Sequence, residues 1–233
     1  MHRKSKALEK KIRRKWMRIW MRYSNTGTLG KIATQIASLA TPPYYARIQL
    51  SKIHNNGYIS PEAEIKHTNF KRGSHVFIDD RVLIFEDLSI DANNGGNVKL
   101  GDSVHLHRDT IIQTGLGGRL IIADDTHIQP RCQINAYKSE IRIGRHVEIA
   151  PNCALYSYNH GVELGEDIGD QPIISKGGIT IEDDVWLGFG VIILDGVKIS
   201  TGSIIGAGSV VTSDIPENSI AAGSPAKIIK SRN

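Results

Sequence analysis

The sequence predicts an all-β fold, a parallel β-solenoid of about seven triangular coils behind a short helical segment. Three observations predict it. From Ile181 an aliphatic residue falls on every sixth position: Ile181, Leu187, Ile193, Ile199, Ile205, Val211. Glycine is abundant (23 residues) and phenylalanine scarce (4), which suits many tight turns better than an aromatic core. Wherever the count exceeds a multiple of six, the surplus falls at one place in the repeat.

Six is three strand periods, so strict sixes mean short strands joined by turns at fixed intervals. The beat extends back through Ile143, Ile149, Leu155; Ile122, Ile128, Ile134; Leu100, Leu106, Ile112; and Ile78, Ile84, Ile90, and it fades at Ile59 and Ile65. The fourth residue after a beat is small or β-branched, as at Val82, Thr126, Cys132, Val185 and Ser203. Three hexads make one coil, and a coil buries its apolar side only by stacking on its neighbours. From Ile78 to Leu100 and from Leu100 to Ile122 is 22 residues each, against 18 from Ile181 to Ile199. The extra residues, "NNGG", "GLGG" and "YKS", follow the third hexad. The segment 156–180 uses the same place with about twenty extra residues, a loop length that points to function in a regular solenoid. It carries one histidine, His160.

The domain layout follows: 1–55 as a basic amphipathic helical segment, 56–216 as the β-helix with loop 156–180, and 217–233 as a short C-terminal extension. The formal net charge of +5 is uneven. Residues 1–22 carry +9 and the remainder −4, so a nucleic-acid-binding body is not expected. Ile12, Trp16, Ile19, Trp20 and Tyr23 form one helical stripe within residues 7–23. It reads as a peripheral contact with an anionic membrane or as a helix docked on a coil edge. A second stripe, Leu29, Ile32, Ala33, Ile36, Leu39 and Ala40, ends before Pro42 and Pro43. Two cysteines make no disulfide framework, and neither a spanning run nor a signal-type apolar stretch is read in the chain. The expected location is the cytoplasm, with a peripheral position at the inner face of the membrane as the variant.

The hexads resemble the hexapeptide-repeat transferases, whose fold is a left-handed parallel β-helix. The stretch "VWLGFGVIILDGVKISTGSIIGAGSVVTSDIPENSIAAGSPAKIIK" is similar to the galactoside/maltose acetyltransferase group, and more so to the exopolysaccharide and O-antigen acetyltransferases. The resemblance covers roughly 75–230. It implies acetyl-CoA as acyl donor, no metal requirement, a sugar or glycan acceptor and a homotrimer. It also implies that His160 is the general base that takes the acceptor hydroxyl's proton. Imidazole suits this, since its ordinary pKa of about 6.5 leaves it mostly neutral at pH 7. Matching positions then places Trp186, Gly188, Ala207, Thr212, Lys227 and Lys230 at the cofactor. Phe189 departs from the pattern, which often has a small residue there. Asn135, Tyr156, Tyr158 and Asn159 are candidate sugar contacts. Glu148 joins them through the hexad register, which puts His105, His127, Glu148 and Trp186 in one row.

Three other readings are carried. An antibiotic acetyltransferase would use the same base and donor. A γ-type carbonic anhydrase needs three zinc-binding histidines, and Pro151 stands where one is expected. A non-catalytic scaffold would bind no acetyl-CoA.

Overall fold

The structure, a computed structural model, describes residues 11–13, 15–20, 23, 28–39 and 42–232. It divides into two compact units, 1–58 and 59–233.

The first unit is helical, with residues 11–13 and 15–20 in helix, α1 (Thr28–Ser38) and α2 (Pro43–Ile53). The prolines begin a helix as well as ending one. Pro42 caps α2 in an extended conformation and Pro43 occupies its first turn, where a missing N–H costs nothing. The buried cluster is Met17, Ala37, Ala46 and Leu50, with Trp20 and Tyr58 against it. The inward line therefore runs through Met17 and Trp20. Ile12, Ile19 and Tyr23, expected on one apolar stripe, are exposed at 60%, 49% and 59%. Leu29 and Leu39 are exposed as well, whereas Ala33 and Ala37 are buried. Short side chains at these positions let the helices approach closely. Residues 7–10 of the expected stripe and Ala40 lie outside the described residues.

The second unit is a three-faced parallel β-helix. Face 1 stacks Tyr58–Ile59, Phe77–Ile78, His105–Leu106, His127–Ile128, Glu148–Ile149, Trp186–Leu187, Ile204–Ile205 and Ser219–Gly223. Face 2 stacks seven strands from Glu64–Lys66 to Val210–Val211, and face 3 six from Phe70–Arg72 to Lys198–Ile199. The beat residues pair with one another from coil to coil: Leu106 with Ile128, Ile128 with Ile149, Ile149 with Leu187, Leu187 with Ile205. All are fully buried, at roughly 1.5–3 kcal/mol of stabilisation for a side chain of this size.

The residue four after each beat is also buried, as at Val82, Val104, Cys132, Val147, Cys153, Val185 and Ser203. Two positions in six therefore face the core, the small one filling the corner. The residue just before this small one turns that corner with positive φ. It is a side-chain-bearing residue at Arg81, Asp109, Arg131 and Asp184, and glycine at Gly190, Gly196, Gly202 and Gly208. The left-handed conformation costs a non-glycine residue roughly 1–2 kcal/mol. Arg81 recovers part of this by a two-point ion pair with Asp109 on the next coil, at 2.7 and 3.0 Å.

Surplus residues leave at the corner between faces 2 and 3. There the chain runs from Ile84 to Leu100, Ile112 to Ile122, Ile134 to Ile143 and Leu155 to Ile181. This corrects one reading, since Ile90 is not a core beat and is 59% exposed. The first of these coils closes through Leu100, which pairs with Arg72 and Ile122. Ile90 belongs to the excursion before it. Beyond the last full coil, Ser219–Gly223 extends face 1 and Ala226–Ser231 returns antiparallel to it.

Candidate active site

The 26-residue step from Leu155 to Ile181 forms a hairpin at its foot. Asn159–His160 pairs antiparallel with Ile173–Ile174, Asn159 opposite Ile174 and His160 opposite Ile173. Both paired residues of the first leg are exposed. His160 thus stands on a two-residue ladder where the chain leaves the solenoid.

The coil below and the coil above both grip this hairpin. From below, the buried Ser157 hydroxyl lies 3.3 Å from the carbonyls of Asn135 and Tyr137 and accepts from the Tyr137 N–H at 3.1 Å. Lys138 Nζ donates to the Ile173 carbonyl at 2.9 Å. From above, the Asp195 carboxylate accepts from Asn159 Nδ2 (3.2 Å), Ser175 Oγ (3.1 Å), Lys176 N (2.5 Å) and Gly178 N (2.9 Å). Within the loop, buried Gln171 accepts from the Glu163 N–H and donates to the Glu163 and Glu166 carbonyls. A Cβ on Gly161 would lie 2.7 Å from Gln171 Oε1, so the residue after His160 has no room for a side chain unless Gln171 moves.

Beside His160 is a run of aromatic rings. Tyr158 lies 6.4 Å from the imidazole, 6.1 Å from Tyr156 and 5.0 Å from Tyr137, between centroids. Tyr137 crosses Gly115, where any Cβ would meet its ring at 2.5 Å, and donates to Asp87 Oδ2 at 2.5 Å. Burial, reinforced by the Asp87 carboxylate, pushes the Tyr137 hydroxyl well above the usual phenol range. Hydrogen bonds from Ser89 and Tyr137 hold Asp87 below the ordinary carboxylate value.

The chain does not gather every expected site residue in one place. His160, Asn159, Tyr158 and Tyr156 cluster at face 2 and its hairpin. Asn135 belongs to the same patch but is buried at 7% exposure, so it offers little surface to a sugar. Glu148 and Trp186 lie on face 1, which is opposite the corner that bears the hairpin. They are neighbours in a column of paired residues, Phe77, His105, His127, Glu148, Trp186 and Ile204. In that column His127 stacks on His105 at 4.4 Å and its Nδ1 contacts Glu148 Oε1 at 3.0 Å. A shallow cavity of about 320 Å³ lies there, lined by His146, Glu148, Asp184, Trp186, Ile204 and Arg232.

The residues matched to the cofactor are spread over the last coils. Gly188 is buried at the corner between faces 1 and 2, and a Cβ on it would lie 2.6 Å from the Ala207 nitrogen, so close coil packing alone requires glycine. Ala207 and Thr212 are exposed. Lys227 and Lys230 are exposed on the returning strand, opposite Ala222 and Ile220. Trp186 and Phe189 present half their surface to solvent. An exposed indole, small side chains along a corner and two exposed ammonium groups fit a long anionic thioester. Among the described residues no group of three or more His, Cys, Asp or Glu is placed to hold a metal ion.

Sequence reasoning missed Asp195, Gln171, Tyr137 and Asp87. Asp195 is 36 positions from Asn159, and only the stacking of coils brings them together.

Segment 178–213 matches the bacterial transferase hexapeptide family (six repeats). Galactoside O-acetyltransferase of Lactococcus lactis subsp. lactis is 40% identical over 95 residues, 41% of this chain and 45% of that enzyme. The chain spans about half the length of the curated relatives it matches. The solved structure of the Bacillus cereus BC4754 gene product is 26% identical, with a TM-score of 0.57 over 74% of this chain and 85% of that one. A mutant of AntD, an N-acyltransferase from Bacillus cereus, solved with dTDP and coenzyme A, shares the fold at 20% identity. Its TM-score is 0.56, over 71% of this chain and 86% of that one.

Proposed function

We propose, from the match of 178–213 to the bacterial transferase hexapeptide family and the fold shared with the BC4754 gene product, that the chain is a left-handed β-helix transferase of that family and moves an acetyl group from acetyl-CoA to a hydroxyl of a sugar in glycan biosynthesis. The observation that carries this reading is His160 itself. It is the one histidine of a long excursion, exposed on a hairpin clamped from two coils. In this reading the imidazole takes the acceptor hydroxyl's proton as that oxygen attacks the thioester carbonyl, and returns it to the departing thiolate. General-base help of this kind is worth about 10²–10⁴ in rate. The half-buried rings of Tyr156 and Tyr158 offer a sugar the apolar contact that its ring face favours. Trp186, Ala207, Thr212, Lys227 and Lys230 hold the donor, the lysines against its phosphates. Gly188 shapes the coil they stand on.

His160 and Trp186 lie on opposite sides of one β-helix. A working site in this reading takes His160 from one copy and face 1 from another, as in a ring of three. The hairpin tip fits such a role, with Val162, Leu164 and Ile168 exposed at 78%, 100% and 63%. Sedimentation of the active protein should give a trimer, and a fully active monomer would remove this part of the proposal.

The acceptor class is tested by following coenzyme A release with sugars, nucleotide-linked sugars and hydroxyl-bearing antibiotics. Sugar-dependent release is expected. Release with antibiotics alone would move the assignment to xenobiotic acetylation.

A further inference from the structure

We infer that Asp195 is the positioning residue of this site, its buried carboxylate aiming His160 by tying both feet of the hairpin to the coil above. The inference rests on the reading of His160 as the base.

Asp195 is only 7% exposed and carries no ion pair among the described residues. A carboxylate buried without a cation must be satisfied by hydrogen bonds. Its four donors come from two places in the chain, Asn159 on one side and Ser175, Lys176 and Gly178 on the other. The first place is the residue immediately before His160. The second is the strand end where the excursion rejoins face 3. Among the described residues the loop between them makes no other side-chain hydrogen bond to the coil above, and its tip is held internally by Gln171. Charge-assisted bonds are about twice as strong as neutral ones, so this clasp is the firmest element of the loop's foot.

The carboxylate accepts at both oxygens and donates at neither. Asparagine at position 195 keeps the shape but aims N–H groups at one pair of these donors, so part of the clasp must open. A base displaced by about 1 Å loses on the order of 10²-fold in rate. Donor binding on the last coils and face 1 does not depend on this contact.

The test compares Asp195→Asn, Asn159→Ala and His160→Ala in steady-state kinetics, with amide exchange over 159–178 and melting temperature measured on each. We expect His160→Ala to lose at least about a hundredfold in kcat. Asp195→Asn and Asn159→Ala should lose about tenfold or more in kcat. Both should keep the KM for acetyl-CoA within about twofold and exchange faster at 159–178. Should Asp195→Asn fail to fold, Asn159→Ala decides, because it removes only the contact on the histidine's leg. Wild-type kcat in both clasp variants beside a dead His160→Ala overturns the inference and leaves the function standing. A raised acceptor KM with unchanged kcat in Asn159→Ala also overturns it, and assigns Asn159 to the sugar. An active His160→Ala removes the functional reading and the inference with it.

Discussion

His107 shows how far a side chain's surroundings can move its chemistry. It follows the beat residue Leu106, is 4% exposed and lies 5.6 Å from the Phe77 ring. Burial pulls its pKa down to about 4, against the opposing pull of the Asp79 carboxylate, while His127 pushes it further down and Glu148 draws it up. The folded protein therefore keeps His107 neutral where an unfolded chain, near pH 6.5, would already be charged. Between those values the unfolded state holds more protons. Stability is present in full above pH 6.5 and is lost as pH falls toward 4, by about 3 kcal/mol in total. The melting temperature should decline across that window in the native protein and decline less in His107→Gln. Equal slopes would show that other groups govern the acid response. The αL residues teach a related lesson. Arg81, Asp109 and Arg131 gave no hint of positive φ in the sequence, since glycine is the familiar marker of that conformation and occupies the same turn only from Gly190 onward.

At the scale of elements, the strands were legible because their cause is periodic. Every sixth residue from Ile122 to Ile134, from Ile143 to Leu155 and from Ile181 to Val211 turns inward because the chain turns a corner every six residues, and those residues pair as expected from coil to coil. Ile90 was misplaced because its spacing from Ile84 satisfies the count while the chain has already left the face. Spacing alone does not distinguish a third face from an excursion of matching length. The hairpin was legible as an interruption and as the place of His160, but its internal order was not. Gln171 orders it from within across 8 positions, and Lys138 and Asp195 reach it from neighbouring coils across 35 and 36. In the helical unit, the expected stripes placed Trp20 and Ala33 correctly but also took in Ile12, Ile19 and Leu29, which are exposed, whereas the buried cluster is Met17, Ala37, Ala46 and Leu50. Size predicts what a helix gains by burial, and close approach rewards small residues instead.

At the scale of the whole molecule, one β-helix carries the two halves of the proposed site on sides that point away from each other. The register that put His105, His127, Glu148 and Trp186 in a row is what separates them from His160. Sequence order could not show this, because Glu148 and His160 are only twelve residues apart and belong to opposite sides. The copies in the proposed trimer are what bring base and donor together, and they give the exposed apolar hairpin tip something to cover. The central claim is that His160 is the base of acetyl transfer. It is tested most directly by kcat for acetyl-CoA and a sugar acceptor in His160→Ala, measured on protein that sediments and melts like the native form. The account predicts a fall of about 10²–10⁴ with the KM for acetyl-CoA little changed. A kcat within a few-fold of the native value would contradict it.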